Sequence, residues 1–177
     1  MQSARFLVTG GSQGIGAAVV ELARAAGHQV VFTGRDETLI DAIAKQTGAH
    51  GLRADVGSPD DNARTVAVCD ERMGGVDVVI NNAGYAYRAE IGALDIAAMK
   101  QMFDTNVFGL VELTNRIVPR LKAQGWGDIV NIASTSSSTT RATPTARKSA
   151  ASISTRCAAS STPTSSAWST SPIASCR

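Results

Sequence analysis

The sequence predicts an α/β fold, a doubly wound parallel sheet with helices on both of its faces. Three observations support this prediction. Along residues 1–134, short runs of β-branched residues alternate with helical patterns, a glycine-rich turn follows the first run, and the polar segment "NNAG" follows the fourth. Ligands bind at the strand ends of such sheets, so the glycine turn and "NNAG" are the first candidates for a functional site.

The predicted strands are short and almost continuously apolar, as expected for strands buried on both faces of a parallel sheet. They are "RFLV" (5–8), "QVVFT" (29–33), a weaker "GLRAD" (51–55), "VDVVI" (76–80) and "DIVNI" (128–132). Because helical patterns separate them repeatedly, right-handed βαβ units are expected.

The predicted helices fill the intervals between these strands. The first ends at a left-handed Gly27, and its apolar positions are Ile15, Val19, Leu22 and Ala26. Two more are predicted at 36–46 and 59–72. The longest covers 97–122, with Asn106 on an apolar stripe formed by Met99, Met102, Phe103, Leu110, Leu113, Ile117 and Leu121.

The composition changes abruptly after Ser134. All 16 glycines and all 15 acidic residues precede it, whereas residues 136–177 contain five basic residues and no acidic ones. The net charge of +2 therefore arises from the C-terminal part, and the preceding part is acidic overall. This charge is poor evidence for a nucleic-acid or membrane partner, and we predict neither.

Other classes of protein are also disfavoured. The N-terminal apolar run is too short for a secretory signal, and no stretch approaches the roughly 18 apolar residues that span a bilayer. Cys69, Cys157 and Cys176 suggest neither a disulfide framework nor a metal site. His28 and His50 adjoin predicted strands without plausible partners, and we assign them no chemistry. We expect a cytoplasmic protein without a metal.

The turn after the first strand carries Gly10, Gly14 and Gly16. Glycine there permits a tight turn, a close approach of the backbone to a coenzyme pyrophosphate, and close packing of helix on strand. The amides at the helix N-terminus then face the phosphates. An ordinary glycine turn is the alternative, but the strand–turn–helix context favours dinucleotide binding.

Four ordered motifs resemble one known family. They are "TGGSQGIG" (9–16), "NNAG" (81–84), "DTNVFG" (104–109) and "NIAS" (131–134). Together they resemble the classical short-chain dehydrogenase/reductase family. The resemblance implies a Rossmann-like sheet of strand order 3-2-1-4-5 without the family's last strands. It also implies an oxidoreductase that uses a nicotinamide coenzyme and acts on a small-molecule carbonyl or alcohol.

The resemblance further implies which residues contact the coenzyme. In the family, Thr9 and the "NNAG" asparagines tie the central strands together, and "ADV" (54–56) matches the adenine-contacting turn. A plain polar turn is the alternative for "NNAG". We interpret Tyr85 and Tyr87 as surface-loop residues rather than a substrate mouth. The implied coenzyme contacts are Gly10, Ser12, Gln13, Gly14, Ile15, Gly16, Asp55, Val56, Asn82, Ala83 and Gly84.

The end of the second strand, "VVFTGRDE", bears on the choice between NADP and NAD. A carboxylate there would accept hydrogen bonds from the ribose hydroxyls of NAD, whereas a cation accommodates the 2′-phosphate of NADP. Aligned with the family, Gly34 takes the acidic position and Arg35 follows it, which favours NADP. In the alternative, Arg35 is merely solvated and Asp36 holds the ribose, so NAD stays possible.

Two catalytic positions of the family have matches. Asn106 matches an asparagine that holds a water of a proton relay, although a helix-packing hydrogen bond is the alternative. Ser134 matches the serine that hydrogen-bonds the substrate oxygen as negative charge develops on it, although a serine after a strand is also an ordinary loop residue. The family's Tyr-x-x-x-Lys has no match, because no tyrosine follows Tyr87 and Pro144 stands four positions before Lys148.

Residues 135–177 form a Ser/Thr/Ala/Arg-rich tail without a predicted core, beside a coenzyme-binding domain at 1–134. Of the 42 residues in 136–177, 39 are types encoded with C or G at the middle codon base. A one-base slip in a GC-rich gene gives this composition, so we interpret the tail as an out-of-frame translation. A natural disordered tail is the alternative. With either origin, we expect an unpaired edge on the fifth strand and marginal stability.

Two functions fit these observations. One is an oxidoreductase that transfers hydride between NADP(H) and a carbonyl or alcohol, impaired because a lost acid/base typically costs about 10² to 10⁴ in rate. The other is a non-catalytic dinucleotide-binding remnant, or a protein that associates with an intact homologue. Family members are usually homo-oligomers built partly on the long helix and partly on a helix that has no counterpart in the tail, so we expect this assembly to be impaired here.

Overall fold

The computed structural model describes residues 3–90, 92–135 and 149–156. All the predicted strands and helices are present, with ends that differ from the predicted ones by a few residues. In chain order the elements are β1 Arg5–Val8, α1 Gly14–Ala25, β2 Gln29–Gly34, α2 Glu37–Thr47, β3 His50–Arg53, α3 Pro59–Met73, β4 Val78–Asn81, α4 Ile96–Phe103, a π-helix Asp104–Gly109, α5 Leu110–Gln124, β5 Asp128–Thr135 and β6 Ser149–Arg156.

Five parallel strands form the sheet in the order β3-β2-β1-β4-β5, which confirms the predicted fold class. Leu7 of β1 lies in register with Val31 of β2 on one side and with Val79 of β4 on the other. The prediction of an unpaired edge on the fifth strand is wrong. β6, which lies in the tail, pairs antiparallel with β5 along its whole length, and Ser134 lies opposite Ala150.

Each face of the sheet is covered by helices, and each contact has its own apolar core. On one face, Leu113, Ile117 and Leu121 of α5 pack with Val79 and Leu7 of the central strands. On the other face, a second cluster joins α1 and α2 to the sheet through Val20, Ala23, Ile40, Phe32 and Val8. The central strands are therefore buried on both sides, which explains why their sequences are continuously apolar.

The predicted apolar face of α1 is wrong at Ile15 and Leu22, whereas Val19 packs against the core. Leu22 is 71% exposed and Ile15 is 53% exposed. The buried residues of this helix are instead Gly16, Ala17, Val20 and Ala23. Small side chains on this face let the helix lie close to β1, so the larger apolar residues point away from the sheet.

The predicted long helix is present, but a π-helix with the sequence "DTNVFG" interrupts it. The predicted stripe is buried after this segment, at Leu113, Ile117 and Leu121, whereas Phe103 before it is 44% exposed. A π turn accommodates an extra residue, so it shifts the helical phase between the two halves. Apolar spacing alone does not detect this shift.

Within the described ranges, every helix is too short or too polar to cross a membrane. The prediction that His28 has no partner is wrong. Its Nδ1 accepts a hydrogen bond from the backbone N–H of Ala4 at 3.2 Å, and its ring stacks on Phe6. His28 therefore helps to fix the beginning of β1.

Candidate coenzyme site

A cleft of about 570 Å³ opens at the carboxyl ends of β1, β2 and β4. This is the edge of a doubly wound sheet at which ligands bind. The cleft brings together nearly all of the predicted coenzyme contacts: Gly10, Ser12, Gln13, Gly14, Ile15, Arg35, Asp55, Val56, Asn82, Ala83 and Gly84. Gly16 lies beneath the cleft instead of lining it.

The glycines of the first turn have separate roles. Gly10 and Gly14 adopt positive φ angles of 65° and 57°, which side-chain-bearing residues rarely adopt. A Cβ at Gly14 would meet nothing within 4 Å. A Cβ at Gly16 would overlap the carbonyl oxygen of Gly10 and lie 2.5 Å from Nδ2 of Asn82. Gly14 therefore leaves space at the cleft, whereas Gly16 allows the close packing of α1 on the turn.

Helix α1 begins at the cleft without a side-chain cap. Asp36, Ser58 and Asp95 cap α2, α3 and α4 by accepting backbone N–H groups. Among the described residues, no side chain caps α1 at Gln13, and the first turn of α1 has no acidic residue. The N–H groups at this end therefore offer hydrogen-bond donors and a positive dipole to an anion in the cleft.

Thr9 and Asn82 join the two strands beneath the site. Thr9 Oγ1 accepts the backbone N–H groups of Asn82 and Ala83, each at 3.0 Å. Asn82 Nδ2 donates to the carbonyl oxygens of Thr9 and Gly10 at 3.1 and 3.0 Å. These four bonds hold the "NNAG" segment against the glycine turn, as the family resemblance implies. On the far side of β4, Asn81 Nδ2 donates to Asn131 Oδ1 of β5 at 2.9 Å.

The end of β2 has little room for a carboxylate. A Cβ at Gly34 would lie 2.6 Å from Ser12 Oγ and 3.1 Å from Ile40 Cγ1. Asp36 Oδ1 accepts the N–H of Leu39 at 3.1 Å, so this carboxylate caps α2. Arg35 is exposed, and its guanidinium carbon lies 5.4 Å from the centroid of the Tyr85 ring. Asp36 also lines the cleft, but it is engaged as the cap of α2, whereas Arg35 forms no salt bridge within the described ranges. The cation of Arg35 is therefore the better placed of the two to bind an anion here.

The turn after β3 is fixed by hydrogen bonds between side chains and its backbone. Asp61 Oδ2 accepts the N–H of Asp55 at 2.8 Å, and Asp55 Oδ1 accepts the N–H of Gly57 at 2.8 Å. The buried Asn62 donates to the carbonyl oxygen of Val56 at 2.9 Å. These bonds present Asp55 and Val56 to the cleft.

The two predicted catalytic residues occupy different surroundings. Asn106 lies in the π-helix, where its Oδ1 accepts the N–H of Tyr85 at 3.0 Å and its Nδ2 donates to the Tyr85 carbonyl oxygen at 2.7 Å. Ser134 lies in β5, but its side chain is outside the described residues. Lys148 and Pro144 are also outside them. The catalytic roles of Asn106 and Ser134 stay predictions.

Among the residues that the structure describes, the groups with displaced pKa values lie away from the cleft. Burial would raise the pKa of Asp77, but hydrogen bonds from the side chain and backbone of Arg5 outweigh it and hold that pKa below its ordinary value. Burial raises the pKa of the Cys69 thiol to about 12. Burial, with a smaller contribution from Arg72, lowers the pKa of His50. They lie in the core or near the amino ends of the strands.

A family model described as short chain dehydrogenase matches residues 4–163. This chain belongs to the short-chain dehydrogenase family. An uncharacterized oxidoreductase of Staphylococcus saprophyticus is 33% identical to it over 142 residues, which are 77% of this chain and 61% of that protein. A probable NADP-dependent dehydrogenase of Haemophilus influenzae is 34% identical over 137 residues, which are 76% of this chain and 54% of that protein.

Solved structures share the fold of this chain. L-sorbose reductase from Gluconobacter frateurii, crystallised with NADPH and L-sorbose, matches with a TM-score of 0.67 and 25% identity. The match covers 74% of this chain and 52% of the reductase. This chain therefore spans between about half and three fifths of the length of these relatives.

The cleft also includes residues that no sequence pattern had indicated. Leu39 and Thr105 line it. Thr105 adjoins Asn106 in the "DTNVFG" motif, and this neighbourhood could have indicated it as a site residue. Nothing in the sequence distinguishes Leu39 from other apolar helix residues. Tyr85 lies in a loop, as predicted, but it is half-buried and also lines the cleft.

Proposed function

We propose that this chain binds NADPH in the cleft at the carboxyl edge of its sheet. The observation that carries the proposal is the arrangement after β2. Gly34 is closed to larger side chains by Ser12 and Ile40, and Asp36 caps α2. Arg35 therefore supplies a cation where a 2′-phosphate is recognised in dinucleotide-binding folds. The names of the Haemophilus relative and of the Gluconobacter structure support this choice over NAD.

The other residues of the cleft fit the rest of the coenzyme. The uncapped N-terminus of α1 would bind the pyrophosphate, and the open space at Gly14 would admit it. The turn of Asp55 and Val56 would lie along the adenine, and Asn82, Ala83 and Gly84 would lie along the nicotinamide half. When bound, the coenzyme supplies or accepts the hydride.

The activity that we propose for this chain is hydride transfer between NADP(H) and a carbonyl or alcohol. Asn106 and Ser134 are the catalytic positions in this proposal. We further propose that this chain turns over poorly, since it has no tyrosine after Tyr87 to serve as the proton donor. Loss of a positioned acid/base costs about 10² to 10⁴ in rate. A cytoplasmic location belongs to the same proposal.

Titration of the purified chain with NADPH and NADH, followed by coenzyme fluorescence, tests the binding. We expect Arg35→Ala to weaken NADPH by about tenfold or more, because a charged hydrogen bond contributes about 1.5–3 kcal/mol. Binding of NADH should change little, and Gly14→Val should abolish both. Equal affinity of the unaltered chain for the two coenzymes would contradict the assignment of NADP.

A second candidate function is dinucleotide binding without catalysis, and the missing tyrosine favours it. A turnover assay on a panel of ketones, aldehydes and alcohols, run beside the titration, separates the two functions. Binding without turnover selects the non-catalytic function. We also propose that residues 135–177 arise from a frame slip. Reading the coding DNA of codons 130–150 and beyond in all three frames tests this, because a Tyr-x-x-x-Lys codon series should occur in another frame.

A further inference from the structure

Arg35 and Tyr85 meet across the cleft. Arg35 directly follows β2, and Tyr85 lies four residues after the end of β4. These two strands flank β1 in the sheet, so the contact passes over the carboxyl end of β1, where the glycine turn begins. The guanidinium carbon lies 5.4 Å from the ring centroid, within the range of a cation–π interaction.

Tyr85 is a fixed partner in this contact. Asn106 holds its backbone on both sides, accepting from the N–H and donating to the carbonyl oxygen. Arg35, by contrast, forms no salt bridge in the described part of the chain, whereas the neighbouring Arg53 pairs with Glu37. The Tyr85 ring is therefore placed to hold the guanidinium of Arg35.

We infer that Tyr85 is a positioning residue for coenzyme discrimination, whose ring holds the Arg35 guanidinium over the cleft to meet the 2′-phosphate of NADP. A guanidinium can stack its face on an aromatic ring while the N–H groups on its edge bind phosphate oxygens. The two contacts are thus compatible, and the ring reduces the freedom that Arg35 loses on binding. This inference rests on the proposed function.

Adenosine 2′,5′-bisphosphate and adenosine 5′-monophosphate test the inference, because they differ only in the 2′-phosphate. The measured quantity is the ratio of their dissociation constants, obtained by calorimetry on the full chain. Tyr85→Leu fills similar space without a π face, and we expect it to reduce the preference for the bisphosphate by about two- to fivefold, as expected for an exposed cation–π contact. Tyr85→Phe should preserve the preference.

Two controls separate positioning from a general structural effect. Tyr87→Ala removes a nearby tyrosine whose hydroxyl accepts the N–H of Asp95, and it should leave the ratio unchanged. In an Arg35→Ala background, Tyr85→Leu should have no further effect on the ratio, because its role acts through Arg35. Thermal melts of all variants identify any that do not fold, and Tyr85→Phe against the unaltered chain then gives a second comparison.

The outcomes are distinct. An unchanged or increased preference in Tyr85→Leu would overturn the inference and leave the proposed function intact. A reduced preference in Tyr85→Phe equal to that in Tyr85→Leu would also overturn it, because the ring would then not be the group that acts. If the unaltered chain shows no preference for the bisphosphate, the assignment of NADP fails, and the inference fails with it.

Discussion

Gly14 and Gly16 lie two residues apart in the same turn, yet alanine should affect them differently. At Gly14 the φ of +57° is unfavourable for alanine, but no atom lies within 4 Å of the new Cβ. The left-handed conformation costs about 1–2 kcal/mol. At Gly16 the Cβ would lie 2.8 Å from the Gly10 carbonyl carbon and overlap its oxygen. These are backbone atoms, which cannot rotate away.

The cost at Gly16 should therefore reach the upper part of the overpacking range, about 3 kcal/mol or more. In a chain of this size, 1 kcal/mol shifts Tm by about 2–4 °C. Gly14→Ala should then lower Tm by about 2–8 °C, whereas Gly16→Ala should lower it by about 6–12 °C or prevent folding.

Differential scanning calorimetry of the two variants measures this contrast, and a titration with NADPH accompanies it. Gly14→Ala should stay folded but bind the coenzyme more weakly, because its methyl group occupies space that we assign to the pyrophosphate. Equal shifts of Tm in the two variants, or a Gly16→Ala protein with an unaltered Tm, would refute the separation of conformational from packing roles.

Three further predictions concern stability. Gly34→Ala should destabilise the chain by about 1–3 kcal/mol, and Ser12→Gly in the same molecule should restore part of that loss; urea melts of the double-mutant cycle would show no coupling if the steric argument is wrong. Because its pKa is lowered by folding, Asp77 contributes stability above the ordinary carboxylate pKa of about 3.9, and this is lost as the pH falls through the lower folded value. Asp77→Asn should flatten that acid-dependent loss in urea midpoints measured between about pH 7 and 3, and a parallel decline in both proteins would contradict it. Leu113→Ala should cost about 2–5 kcal/mol, whereas Leu22→Ala, at a 71% exposed position, should cost little; equal costs would contradict the burial assigned to α5 and α1.

Local sequence signals were sufficient for the strands, the helices and the glycine turn. The strands could be predicted because burial on both faces requires continuous apolar runs, and the turn because Gly10, Gly14 and Gly16 stand at fixed spacing before a helix. The order of the strands came from the family resemblance and was confirmed. No local pattern contains the strand order, because it depends on contacts between distant segments.

The wrong predictions share a physical cause. Each concerns a contact between segments that are separated in the sequence and meet only in the folded chain. Hydrophobicity predicted that Leu22 lies on the buried face of α1, but the face that packs on the sheet carries the small residues Gly16 and Ala17. The contact of Arg35 with Tyr85 joins segments that are far apart in the sequence, so neither residue alone indicated it. The pairing of β6 with β5 could not be predicted from a segment whose composition is typical of disorder.

The central place of β1 in the sheet has a consequence for biosynthesis. Its partner β2 leaves the ribosome soon after it, but β4, which covers its other edge, ends only at Asn81. At about 5–20 residues per second, the edge of β1 that pairs with β4 has no partner strand for several seconds of synthesis. A slow codon or a translational pause between Gly34 and Asn81 would lengthen that interval and increase the demand for chaperones during synthesis.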